Sequence, residues 1–374
     1  MNGNYLDTSF GIPLRTSGAF PLQVAYRPQI SPDIEAENIS ITDSVQISAA
    51  GTEEAADADA RQSQTAAGKT GVSPPRQQPL ELSTARVRVV LPPPAGPDTD
   101  LASADRQLDE DAALQALTTA YLVDTAFDRY WQGEPAYRLP NSETLTIRLN
   151  HPAAHARGPF YRAAPARTIF TGSASAAADP DIIAHEQGHA ILDSYCRYNT
   201  GNSFTASAHE AFADVTAMLT ALQSAQVREN VCRAWERGEL STLLSVIGEG
   251  AGELQRGPSS SPGLRDLSTV PIQSPEKDFD EPHSASQRFS HGVYSALHAM
   301  YKLERSSDPF LPAAKAMERV SERFSADFVN SVRYLPRRPI ISQRDLAHAL
   351  LQADLDLHSG QDSGIYRQNL KHLL

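Results

Sequence analysis

His185, Glu186 and His189, in the run His185-Glu186-Gln187-Gly188-His189, are the residues of this 374-residue chain whose types and spacing point most directly to chemistry. A helix turns by about 100° per residue, so two histidines four apart project from one face and can place two imidazole nitrogens on one ion. Glu186 stands beside the first histidine, angled toward an open coordination position, where a carboxylate can accept a proton from a metal-held water. Gly188 keeps the helix surface clear of bulk. Taken alone, the motif is also compatible with two ordinary histidines on a helix.

A second group lies about one helix further on, in His209-Glu210-Ala211-Phe212-Ala213-Asp214. Glu210 and Asp214 are four apart and share a face, so one can ligate a metal while the other supports a ligand histidine from behind. Two histidines and one glutamate leave a fourth position for water, the pattern of catalytic rather than structural zinc. The metal ligands read from the sequence are therefore His185, His189 and Glu210, with one Zn2+ per chain, Glu186 as general base and Asp214 behind the ligands. His209 reads as a solvent-facing helix residue rather than a fourth ligand.

These side chains need elements to hold them. Asp179-Pro180-Asp181 opens a helix by N-cap and first-turn rules, and the helix runs on to about Tyr195. A second helix is predicted from about Ser207 to Ser224. Before them, Thr144 to Leu149 alternates with period two and Arg167 to Thr171 is β-branched and aromatic, so both read as strands. Leu114, Leu117, Tyr121, Leu122, Ala126 and Tyr130 recur at helical spacing in a long helix that starts near Leu101 and ends near Gly133. Further helices are predicted around 228–248, 285–305, 311–333 and 342–354, with a Pro/Ser/Gly-rich loop from Gly257 to Pro275.

The expected fold class is α+β: a small N-terminal β-sheet subdomain with the motif helix, over residues 101–200, then a mainly helical subdomain over 201–374. Residues 1–100 read as a largely disordered segment, a propeptide or arm. From Ser31 to about Pro97 they are rich in Ala, Ser, Gln, Asp and Pro, which bury too little apolar surface to offset the ordering entropy. Within them, Ala85 to Leu91 alternates and is the one candidate strand.

The two motifs together resemble the thermolysin-like gluzincin metallopeptidases, whose pattern is HExxH followed some twenty residues later by ExxxD. The stretch from Asp181 to Asp193 is similar to that family's active-site helix, and Glu210 falls 21 residues after His189. The resemblance runs from roughly Thr144 to Tyr301. It implies a thermolysin-like fold and zinc-dependent peptide hydrolysis, with Asp214 hydrogen-bonded to His185. It also implies that Asp278 orients His283, which stabilises the tetrahedral intermediate, with Ser286 three residues beyond, and that Arg265 binds the substrate carbonyl on the leaving-group side. Gly158-Pro159-Phe160-Tyr161 is similar to the edge segment that pairs with an extended peptide.

The chain departs from the family in having His209 before the ligand glutamate, in an abbreviated N-terminal sheet, and in lacking the acidic clusters that mark calcium sites, so no structural calcium is expected. Two alternatives stand beside these assignments: His291 competes with His283, and Arg265 equally suits a bridge to a local carboxylate. Asp193 can serve simply to end its helix, and Tyr195 and Tyr198 read as packing residues.

Bulk properties narrow the partners. The formal charge of -12, with no basic cluster, argues against nucleic acid or an anionic membrane surface. Peptide or protein substrate is the partner expected. Two cysteines, Cys196 and Cys232, do not make a disulfide scaffold and read as free thiols. With no visible signal peptide and no run of about 18 apolar residues, the cytoplasm is the default location. Two rival functions use the same residues: a non-catalytic interaction module on a peptidase-like scaffold, and a zinc hydrolase of non-peptide amides or esters.

Overall fold

A computed structural model describes residues 19–26, 37–49, 80–91 except 85, 101–131, 144–248 except 164 and 196, 265–269 and 281–374. The architecture is α+β. Seven strands form one mixed sheet: β1 (Ala19–Tyr26), β2 (Glu37–Ala49), β3 (Leu80–Ser83), β4 (Val87–Val90), β5 (Leu145–Arg148), β6 (Phe160–Arg162) and β7 (Thr168–Phe170). Their order is β1-β2-β3-β4-β5-β7-β6. Strands β1 to β4 pair antiparallel, β4, β5 and β7 run parallel, and β6 returns antiparallel to β7 at the edge.

Four of these strands fall within the first 100 residues: β4 lies in the alternating run Ala85 to Leu91 that reads as a strand, and β1 to β3 fall where disorder is the expectation from composition. Averaging over the segment hides a period-two signal: Ile39 and Ile41, then Val45 and Ile47, are diluted by flanking Ala, Ser, Gln and Asp. The register of β1 shifts between Phe20 and Leu22, around Pro21, which cannot donate to a ladder. Because β4 pairs with β5, a boundary near residue 100 falls inside the sheet.

Helix α1 (Leu101–Tyr130) follows β4 and lies across the sheet. Two short helices, α2 (Pro152–Arg157) and α3 (Ala174–Ala178), precede α4 (Pro180–Tyr195) and α5 (Ser203–Ala221). Then come α6 (Ala225–Glu236), a two-stranded ribbon of β8 (Val246–Ile247) and β9 (Arg265–Asp266), and α7 (Pro282–Ser307). Helices α8 (Ala313–Ser331), α9 (Gln343–His358) and α10 (Ser363–Asn369) close the chain. The ribbon stands where helix 228–248 and an unstructured loop are expected. It begins after Gly238, whose φ of 80° ends the helical run.

The apolar residues form two large clusters. One packs Val87, Val89, Ile147 and Ile169 of the sheet against Leu117 of α1 and Ile183 of α4. The other joins Phe212 of α5, Tyr294 of α7, Phe324 and Phe328 of α8 and Leu350 of α9. Helix α1 enters the second cluster through Val123 and Phe127, and α4 through Ile191 and Leu192. The motif helix thus lies at the seam of two cores and is held from both sides. No helix among the described residues is long and apolar enough to cross a membrane.

Candidate metal centre

Helix α4 starts as its sequence dictates: the Asp179 carboxylate accepts from the Asp181 N–H at 3.1 Å, with Pro180 in the first turn. Helix α5 is capped by Asn202, which accepts from the N–H groups of Phe204 and Thr205. The two helices then pack closely at Gly188. A Cβ there would stand 2.8 Å from the Cα of Ala213 and 2.9 Å from the Thr216 hydroxyl. The glycine of the motif therefore serves backbone approach as well as an open surface.

That approach brings the two groups of residues together. Donor atoms of His185, His189 and Glu210 all lie within 4.8 Å of one another. Nε2 of His185 is 3.1 Å from Glu210 Oε2, and Nε2 of His189 is 3.5 Å from Glu210 Oε1. On its far side, His185 Nδ1 meets Asp214 Oδ1 at 3.1 Å. Asp214 is fully buried and receives hydroxyl hydrogen bonds from Ser290 at 3.1 Å and Ser286 at 3.4 Å on α7.

The protonation states follow from this packing. Burial pushes the His189 imidazole down to about 3, with Glu210 only partly opposing, so at neutral pH its lone pair is free for a metal. At His185 burial also disfavours the charged form, but hydrogen bonds to Asp214 and Glu210 outweigh it and push the imidazole up to about 10. Glu210 and Asp214 are held below the usual carboxylate range: burial opposes this, and the two imidazoles prevail at Glu210, and Arg265 and His185 at Asp214. His185 thus sits in a pocket of negative potential that demands a positive charge. Metal binding generally releases protons, so a divalent cation held on the Nε2 side would take the place of the proton. Two imidazole nitrogens and one carboxylate make the donor set that zinc takes where a fourth position stays open.

Glu186 is buried and its carboxyl is pushed up to about 7 by desolvation, against the opposing charge of His185. A backbone hydrogen bond from Tyr161, on edge strand β6, also touches this carboxylate. The Tyr161 hydroxyl donates to Asp193 at 3.1 Å, so Asp193 ties α4 to the edge strand as well as lying at the helix end.

The chain matches no known protein family and no curated protein.

Other residues singled out in the sequence fall into place unevenly. His283 reaches the site, with Nε2 3.3 Å from Glu210 Oε2. Its rival His291 does not, because its Nδ1 lies 2.8 Å from the Leu267 carbonyl and its Nε2 faces Ser295. Arg265 is carried in by the β8–β9 ribbon, where it pairs with Asp214 at 2.8 Å and approaches Glu210 at 3.8 Å. The bridge to a local carboxylate is therefore present. Asp278 lies outside the described residues.

Sequence reasoning missed the carboxylate that His283 does meet. Glu281 Oε1 is 2.5 Å from His283 Nδ1, and the same side chain caps α7 by accepting from the N–H groups of His283 and Ser284. The signal was available in Glu281-Pro282-His283, since an acidic residue just ahead of a proline marks a helix start. His209 is buried rather than solvent-facing: its ring stacks on His189 at 5.8 Å and its Nε2 has no hydrogen-bond partner. The ring lies on the core side of α5, beside Tyr198. Tyr195 and Tyr198 anchor the chain after α4 to the carbonyls of Leu335 and Pro336, as packing residues do.

Proposed function

We propose that this chain is a zinc-dependent endopeptidase on a thermolysin-like, gluzincin scaffold, with His185, His189 and Glu210 as the metal ligands. The observation that carries the reading is the convergence of those three donor groups, within 4.8 Å of one another, on two helices that Gly188 allows to touch. When bound, zinc supplies a Lewis acid that polarises a carbonyl oxygen and acidifies a water.

The protein's own groups account for the remaining steps. Glu186 accepts the proton of the attacking water and passes it to the leaving amine. Burial raises the basicity of this carboxyl above that of an exposed glutamate, which suits it to accept a proton and pass it on. His283 stabilises the developing oxyanion, with its imidazole fixed by Glu281 through Nδ1 so that Nε2 faces the ligand set. Arg265, held by Asp214, positions the carbonyl on the leaving-group side with the guanidinium nitrogen nearer Glu210. Among the described residues strand β6 has a neighbour on one side only, and an extended peptide can add along its other edge. That edge, next to Glu186, favours a peptide substrate over a small ester.

Glu186→Gln tests the reading. Peptide hydrolysis by the variant is expected to fall by at least about 10²–10⁴-fold, while elemental analysis still finds one zinc per chain. Hydrolysis retained in the variant would remove Glu186 as the base. Wild-type protein that takes up no zinc would remove the whole reading.

A further inference from the structure

A second group of ionisable residues lies in the helical half, in the core between α8, α9 and α10. Asp327 of α8, Asp354 of α9 and Asp362 in the turn before α10 are each fully shielded from solvent, with donor atoms within 4.8 Å of one another. They are far apart in sequence, so no acidic run announces them, and the sequence reading expects no cation besides zinc.

Part of their bonding is structural. Asp354 accepts from the Asp362 N–H at 3.1 Å and from the Ser363 hydroxyl at 2.5 Å, which shapes the turn. Asp327 Oδ2 accepts from the Tyr366 hydroxyl at 3.0 Å, and Asp362 Oδ2 from Arg323 Nε at 3.0 Å. One oxygen of Asp327 and one of Asp362 remain, each buried and without a hydrogen bond among the described residues. His358 Nε2 faces the first of these, 3.4 Å away, and is itself without a hydrogen-bond partner.

The charges do not cancel. Among the described residues, Arg323 pairs with Asp362 at 3.0 Å and also serves Glu304 at 3.2 Å, while burial and the neighbouring Asp354 push the Asp327 carboxyl up to about 8. Buried carboxylates left with open lone pairs and a net negative charge are costly, and they persist where a cation or a proton is taken up. The open atoms, two carboxylate oxygens and one imidazole nitrogen, are of types that can ligate a metal ion.

We propose that Asp327, Asp354 and Asp362, with His358 at the rim, form a second metal site that takes one hard divalent cation. Carboxylate oxygens select Ca2+, Mg2+ or Mn2+ over softer ions, and an imidazole nitrogen tilts the choice toward Mn2+. The cation would clamp three helices whose packing supports α7: Gln343, at the start of α9, donates to the Ala285 carbonyl two residues beyond His283. The site is independent of the zinc reading.

The test is calorimetric titration of Mn2+ and of Ca2+ into the full chain after dialysis against a weak chelator. Wild type, Glu210→Ala, Asp327→Asn and Asp362→Asn are compared, each checked for folding by circular dichroism. The expected result is one binding site per chain that survives Glu210→Ala and weakens at least tenfold in both asparagine variants. Glu210→Ala leaves the aspartates untouched, so absence of Mn2+ and Ca2+ binding in that variant overturns the proposal even if an asparagine variant fails to fold. Binding unchanged in folded Asp327→Asn and Asp362→Asn overturns it as well.

Discussion

Gly188→Ala probes the contact that holds the two ligand-bearing helices together. The added Cβ would stand 2.8 Å from Ala213 Cα, whereas ordinary contact begins at 3.4 Å, so α4 and α5 must part by about 0.6 Å (3.4 − 2.8). The obstructing atom belongs to backbone and cannot swing aside. The next one, the Thr216 hydroxyl, is tied to the Phe212 carbonyl at 2.9 Å. Two energies compete. Alanine in a helix interior is favoured over glycine by about 1 kcal/mol. Overpacking a tight contact costs about 1–3 kcal/mol, so the net effect is a destabilisation of about 0–2 kcal/mol.

The proposed metal centre would amplify this displacement, because His185 and His189 ride on α4 and Glu210 on α5. Displacing the groups that support a ligand set typically costs 10–100-fold in affinity, so zinc binding by Gly188→Ala is expected to weaken by about tenfold or more. Denaturant unfolding of the chelator-treated protein gives the first quantity, and competition with a chromophoric chelator the second. A variant about 1 kcal/mol more stable than wild type, with unchanged zinc affinity, would refute the close approach and the role assigned to it.

Two other substitutions test the residues behind the ligands. Asp214→Asn leaves Arg265 and His185 without their buried counter-charge, so stability is expected to drop by about 3 kcal/mol in denaturant unfolding, together with at least about tenfold in zinc affinity; a change under about 0.5 kcal/mol would show that the pairing contributes nothing. Glu281→Gln frees the His283 ring while sparing the ligands: steady-state kinetics are expected to show kcat lower by about 10-fold or more with KM nearly unchanged and zinc content intact. An unchanged kcat would assign Glu281 to helix capping alone.

How far these features could be read in advance depended on whether they were local. His185, Glu186, His189, Glu210 and Asp214 were legible because each spacing is a helical one, and the chain supplies the helices from its own caps at Asp179 and Asn202. Strands β5 and β7 were legible for the same reason, through period-two or β-branched runs. Strands β1 to β3 were not, since polar residues diluted their alternation, whereas β4 lies within the alternating run Ala85 to Leu91. Glu281 was hidden behind an expectation about Asp278, and the buried aspartates behind their separation in the chain. The position of His209 turned on which side of α5 faces the core, and a helix that is apolar over most of its surface gives no clear answer.

Asp214 shows why the centre needs both halves of the chain. Its carboxylate touches His185 of α4, Arg265 of the β8–β9 ribbon, and Ser286 and Ser290 of α7. Helix α7 also begins with the Glu281–His283 pair, so the group that meets Glu210 from the solvent side and the group that orients His185 from the buried side are spaced by one helix. A shift of α7 moves His283 relative to the ligands and at the same time withdraws hydroxyl donors from Asp214. The carboxylate then loses two of the bonds that hold it aimed at His185 Nδ1, and the far nitrogen loses its orientation toward Glu210. Ligand geometry and His283 placement are therefore mechanically coupled, and a packing change in the helical half is felt at the metal site without any ligand being altered.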